Sequence, residues 1–270
     1  MIGVIIGDIV GSRFEFNNHR SKDFELFHKD CHFTDDTVCT MATIEWLLGS
    51  TDPKSSEYAD LLRKWCRRYP NESYGASFNH WFRVDDAPPY YSFGNGSAMR
   101  VAPVGMLTDL EIIPAIAARN ARVTHNHPEG ILGAAATAMA VYTARYCAEN
   151  NLDMDWYRRA LTWYYDLDFT CDGIRDTYQY NETCQQTVPQ AIVAFLDSTD
   201  FEDAIRNAIS IGGDSDTLAA ITGGIAEAYY GVPADLKRQA LAYLPGGIID
   251  LLTKFYNHEK DKKHIAIQAL

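Results

Sequence analysis

Apolar side chains recur along this chain at intervals of three and four, and no other feature limits the possible folds as strongly. After Thr34, the residues Val38, Met41, Ile44, Leu47 and Leu48 fall on one face of a helix. Similar patterns over Ser55 to Tyr69, Leu110 to Arg122, Pro128 to Asn150, Asp153 to Tyr165, Val188 to Asp197, Asp200 to Ile211, Asp216 to Tyr230, Ala234 to Leu244 and Gly247 to Asn257 predict further helices. Ser55, Asp153 and Asp200 are the expected N-caps of three of them. The sequence has no period-two segments bounded by hairpin turns. The expectation is an all-α fold in a single domain over residues 1–270, with no internal repeat and no Pro/Gly/Ser linker. Asn71 to Met99 and Phe169 to Thr187 are the long irregular connections, and connections of that length tend to carry function.

Charge removes several function classes. With 36 acidic and 24 basic side chains the formal net charge is −12, so extended nucleic-acid binding by a basic face is not expected. A hydrophobic content of 47% supplies an ordinary core rather than a disordered chain. The longest apolar run, Gly130 to Tyr142, is too short to cross a bilayer. Met1 to Val10 has no basic leader and meets Asp8 early, so the expected location is cytoplasmic, with no membrane association. Six scattered cysteines without a CxxC pair read as free buried thiols. No coiled-coil pattern is present, and a monomer is expected.

Chemistry concentrates in a few short segments. Thr34-Asp35-Asp36-Thr37 and Gly212-Gly213-Asp214-Ser215-Asp216-Thr217 place carboxylates and hydroxyls at expected helix starts. Such groups cap helices, but they are also the hard oxygen ligands that Mg²⁺ and Mn²⁺ prefer. A cap needs one acceptor, and each segment offers several. If the two converge, their mutual repulsion calls for a cation between them. In the opening Gly7-Asp8-Ile9-Val10-Gly11-Ser12-Arg13-Phe14-Glu15, the glycines could allow close helix packing and the acids could be solvated. Ser92-Phe93-Gly94-Asn95-Gly96-Ser97-Ala98-Met99-Arg100 is expected to turn at positive φ and expose successive amides as an anion cradle. Thr124-His125-Asn126-His127-Pro128 reads as polar groups at a helix start.

In this order, GDxxGSxxE, TDDT, SxGNGSAMR, TH and GGDSDT resemble the ADP-ribosylglycohydrolase family, which includes dinitrogenase reductase-activating glycohydrolase and the ADP-ribosylhydrolases. The resemblance implies a compact orthogonal helical domain, a binuclear Mg²⁺ or Mn²⁺ centre, and removal of ADP-ribose from a modified acceptor. By position, it implies that Thr34, Asp35, Asp36, Asp214, Asp216 and Thr217 are metal ligands, with Asp216 shared by both ions. It further implies that Glu15, Asp36 and Asp214 are catalytic. Ser92, Phe93, Gly94, Asn95, Gly96, Ser97, Ala98, Met99 and His125 would bind the ligand, with Phe93 against adenine and backbone amides of Gly94 to Ala98 on the diphosphate. Two alternatives stand beside this reading. One is a non-catalytic ADP-ribose-binding or crystallin-like relative. The other is a metal-dependent phosphoesterase, from the faint likeness of Asp214 to Thr217 to the haloacid dehalogenase-type nucleophile motif. Tyr178 and Gln185 are candidates for the acceptor side.

Overall fold

The computed structural model describes residues 1–268. Its helices are α1 (Ile2–Gly11), α2 (Asp35–Gly49), α3 (Ser55–Arg68), α4 (Ala76–Arg83), α5 (Gly96–Met99), α6 (Ala102–Leu107), α7 (Ile113–Ala121) and α8 (Pro128–Asn150). They continue with α9 (Met154–Leu161), α10 (Cys171–Ile174), α11 (Cys184–Leu196), α12 (Phe201–Ser210), α13 (Ser215–Tyr230), α14 (Ala234–Leu241) and α15 (Gly246–Gln268). Among the described residues there is no strand, only an isolated bridge between Gly94 and Thr183. The all-α expectation therefore holds.

α13 is the central element and packs against α1, α8, α11 and α12. Every residue of α1 is buried, and its contact with α13 depends on glycine. Gly3, Gly7 and Gly11 recur every fourth residue and line one face of α1. A Cβ on Gly7 would stand 2.0 Å from the carbonyl oxygen of Ala219, and one on Gly11 2.4 Å from Cα of Asp216. The two backbones touch, which brings the residues beside these glycines within reach of the start of α13.

Several boundaries differ from the periodic reading, for local reasons. α1 itself was not expected, because a helix that is apolar on all sides has no polar face to set its period. The connection from Asn71 to Met99 contains α4, and that from Phe169 to Thr187 contains α10. α11 starts earlier than Val188, at Cys184, and carries Pro189 in its interior. Asp153 and Asp200 cap α9 and α12 through their side chains. Ser55 does not cap α3; it is the first helical residue, and Glu57 accepts the amide of Lys54 instead.

Candidate active site

The starts of α2 and α13 meet. The Thr217 hydroxyl reaches Asp36 Oδ2 at 3.2 Å, and that of Thr34 lies 3.4 Å from Asp216 Oδ2. Neither Thr34 nor Asp214, the two N-cap residues, makes a side-chain cap hydrogen bond, so capping does not account for the acids. Gly212 and Gly213, at φ +74° and +79°, form the turn that delivers Asp214. Carboxylate oxygens of Asp8, Asp36 and Asp216 lie within 4.8 Å of one another, and so do those of Glu15, Asp214 and Asp216. Asp216 belongs to both groups. Asp36 Oδ1 is buried without a hydrogen-bond partner among the described residues, an oxygen left free among like charges. This oxygen-only set fits hard divalent cations. Asp35 is half-buried and faces the adjoining cavity, outside both groups.

Asp8 is the residue the sequence reading missed. It is 0% exposed, not solvated, and accepts the Thr34 amide at 2.9 Å, the Thr34 hydroxyl at 2.7 Å, the Thr37 amide at 3.1 Å and the Thr37 hydroxyl. Asp8 on α1 thus accepts the Thr37 amide at the start of α2, the cap that the Thr34 side chain does not supply. The available signal was a lone acid inside an apolar run, which must find donors to be buried. Glu15, at 9% exposure, is also buried. Its loop is fixed by Asn18, whose Nδ2 donates to the carbonyls of Glu15 and Gly213 while Oδ1 accepts the Gly213 amide at 2.8 Å.

A cavity of about 600 Å³ opens beside these acids, bordered by the Ser92 to Met99 segment, His125, and Ser73 to Phe78 at the start of α4. The segment departs from its expected form. Neither Gly94 nor Gly96 has positive φ, and Gly96 opens the short helix α5. The glycines instead leave room for an imidazole, since a Cβ on Gly96 would meet His125 Nε2 at 3.2 Å. Amides of Gly94, Asn95 and Ala98 are already donated, to Ser92 Oγ, the Glu182 carbonyl and the Asn95 carbonyl. The Ser97 hydroxyl donates to the Gly130 carbonyl. Asn95 Nδ2 donates to Asp214 Oδ2 at 2.7 Å, tying the segment to the acids. Phe93 is exposed at the cavity edge, and His127 caps α8 by accepting the Glu129 amide. Tyr178 packs on Gly213, and the cavity rim is formed by Tyr180, Glu182 and Thr183 rather than by Tyr178 or Gln185.

Burial, with repulsion from neighbouring acids, raises the carboxyl pKa values of Asp36 and Asp216, and pushes Glu15 up to about 8. Groups whose folded pKa lies above the unfolded value give stability that is present at low pH and lost as pH rises through the folded value. For Glu15 that window runs from its ordinary 4.5 to about 8. In chelator, the melting temperature is expected to fall more steeply between about pH 5 and 8 for the wild type than for Glu15→Gln. Added Mg²⁺ or Mn²⁺ should flatten the wild-type slope. Equal slopes in chelator would contradict this electrostatic account.

The chain matches the ADP-ribosylglycohydrolase family profile over residues 1–264. It is 25% identical to ADP-ribosylhydrolase ARH3 of Xenopus tropicalis, over 90% of this chain and 90% of that protein. It is 24% identical to an ADP-ribosylarginine hydrolase of Pseudomonas putida, over 86% of this chain and 70% of that protein. A solved structure described as an ADP-ribosylglycohydrolase-related protein complex superposes with a TM-score of 0.65 at 22% identity, covering 96% of this chain and 92% of that one. With a family match that runs through α1, the acid-bearing starts of α2 and α13, and most of α15, the chain belongs to the ADP-ribosylglycohydrolase family.

Proposed function

We propose that this protein is a divalent-metal-dependent hydrolase that releases ADP-ribose from a modified acceptor by cleaving the bond at C1 of the distal ribose. The observation that carries the reading is the meeting of two helix starts around buried acids, with Asp36 Oδ1 unpartnered. In this reading Thr34, Asp35, Asp36, Asp214, Asp216 and Thr217 would hold two Mg²⁺ or Mn²⁺ ions, and Asp216, common to both groups of acids, would serve both. When bound, such ions supply Lewis acidity at the distal ribose and make a water easier to deprotonate. Burial raises the Asp214 pKa to about 6, and the hydrogen bond it accepts from Asn95 opposes that rise, so at neutral pH it is ionised and suited to take a proton from water. Glu15, pushed up to about 8 by burial and by the neighbouring acids, suits proton donation to the leaving acceptor. The carboxylates of Glu15 and Asp214 would stabilise the oxocarbenium-like charge that develops at C1. Phe16 and Tyr180, exposed and stacked at 6.3 Å, border the open side with Glu182, where the acceptor departs. The six cysteines are all free and buried, which suits a reducing cytoplasm, and no helix among the described residues is long and apolar enough to cross a membrane.

The test is an ADP-ribose release assay on matched arginine-, serine- and nucleobase-linked substrates, with Mg²⁺, with Mn²⁺ and with chelator. Metal-dependent release from at least one acceptor is expected. Tight ADP-ribose binding with no turnover on any of them would favour a non-catalytic binder.

Asp8 has both carboxylate oxygens occupied by threonine donors, so it supports the ligands rather than joining them. Asp8→Asn sets an N–H₂ group against those donors and should loosen Thr34 to Asp36. Metal affinity measured by calorimetry is expected to fall about 10- to 100-fold, the scale of losing a supporting group around a metal site. Wild-type affinity in that variant would remove Asp8 from the account.

A further inference from the structure

His125 is 5% exposed and lines the cavity, yet its Nε2 has no hydrogen-bond partner among the described residues. Its other ring nitrogen belongs to a directional chain. Arg100, at 1% exposure, pairs with no carboxylate among the described residues. Its Nε donates to Asn120 Oδ1 at 3.2 Å, and one terminal nitrogen donates to the Asn120 carbonyl at 3.2 Å and to Thr124 Oγ1 at 2.9 Å. Thr124 Oγ1 in turn lies 2.7 Å from His125 Nδ1.

The direction of each bond follows from what each group can do. A guanidinium only donates, so Thr124 Oγ1 accepts from Arg100. The hydroxyl has one proton, and His125 Nδ1 is its one remaining hydrogen-bonding neighbour among the described residues. If Nδ1 carried the ring proton, the Thr124 proton would be left in a fully buried position without an acceptor. The satisfied arrangement is Arg100 N–H to Thr124 Oγ1, and Thr124 O–H to Nδ1. The ring proton then sits on Nε2, beside Gly94 and Gly96, where the missing Cβ atoms leave space. Burial and the nearby Arg100 charge also keep the imidazole neutral by lowering its pKa.

We propose that the Arg100–Thr124 pair is a positioning device that fixes His125 as the Nε2–H tautomer, so that this wall of the cavity donates a hydrogen bond to an oxyanion, a diphosphate oxygen of the ligand. The ligand half of the proposal rests on the ADP-ribose reading above; the tautomer half does not. It also fills a gap in the site, because three of the backbone amides that could have held a diphosphate are already donated within the protein.

Long-range ¹H–¹⁵N spectra of histidine-labelled protein read the tautomer directly. Wild type should show His125 as Nε2–H, and ADP-ribose should shift the Nε2 resonance. Thr124→Val, close in shape but without the hydroxyl, should lose the single tautomer and bind ADP-ribose about tenfold more weakly. Thr124→Ser should keep both properties. The proposal is overturned by an Nδ1–H tautomer in the wild type, by an Nε2 signal that ADP-ribose does not move, or by a Thr124→Val protein with wild-type tautomer and affinity. Should Thr124→Val not fold, the wild-type spectra with and without ADP-ribose still decide the matter. Failure of the wild type to release ADP-ribose from any acceptor would be read in the separate assay and would leave the tautomer result standing.

Discussion

Asp216→Asn is expected to lower metal-dependent ADP-ribose release by roughly a thousandfold, the equivalent of about 4 kcal/mol of transition-state stabilisation. Asp216 is the acid common to both groups of close carboxylate oxygens, so its loss affects both proposed ion positions together. Asn keeps the shape and offers one neutral oxygen, while its amide nitrogen brings donors to where a cation would sit. A stability measurement separates this from unfolding. Without metal, the variant has one fewer acid in a buried cluster, where burial first and then repulsion from Asp214 and Asp8 raise the Asp216 pKa. Its melting temperature in chelator should therefore be equal to or above that of the wild type. The rise in melting temperature that wild type shows with Mg²⁺ should be absent. The expected signs are opposite: activity falls while metal-free stability holds. Retained metal-dependent release at near wild-type rate would sink the binuclear reading.

How much of this was legible in the sequence differs from element to element. Helices with one polar face were readable, because periodicity is a contrast between wet and dry sides; α12, Phe201–Ser210, lies just inside the expected Asp200 to Ile211. α1 offered no such contrast, being buried on every side, and α4 is a short helix within an aromatic-rich connection. The two acidic helix starts were readable as segments with more acceptors than a cap requires. Their convergence was not, because it depends on how closely α1 approaches α13. Asp8 was hidden for the same reason, since its partners Thr34 and Thr37 are distant in sequence and come near only when α2 packs beside α1. Gly94 and Gly96 were misread because a glycine can serve backbone freedom or close packing, and only the position of His125 distinguishes the two.

The same close approach makes Gly7→Ala the expected severe stability variant. Alanine favours helix over glycine by about 1 kcal/mol, so a propensity argument alone forecasts a gain. Packing opposes it. The added methyl would stand 2.0 Å from the Ala219 carbonyl oxygen, 2.2 Å from its carbonyl carbon and 2.5 Å from the Ala220 nitrogen. All three are backbone atoms of α13, which cannot rotate aside as a side chain could. Relief requires α1 and α13 to separate, at a cost on the upper side of the roughly 1–3 kcal/mol typical of overpacked cores. A net loss of about 2 kcal/mol or more is expected in urea denaturation. Separation also moves Asp8 away from Asp216 and with it the start of α2, so metal affinity should fall in the protein that remains folded. Gly49→Ala is the control: Gly49 is helical with nothing within 4 Å of its Cβ position, and there the helix preference should appear as a neutral or stabilising change. If Gly7→Ala were as stable as Gly49→Ala, the close contact between α1 and α13 would not be what holds the acids together.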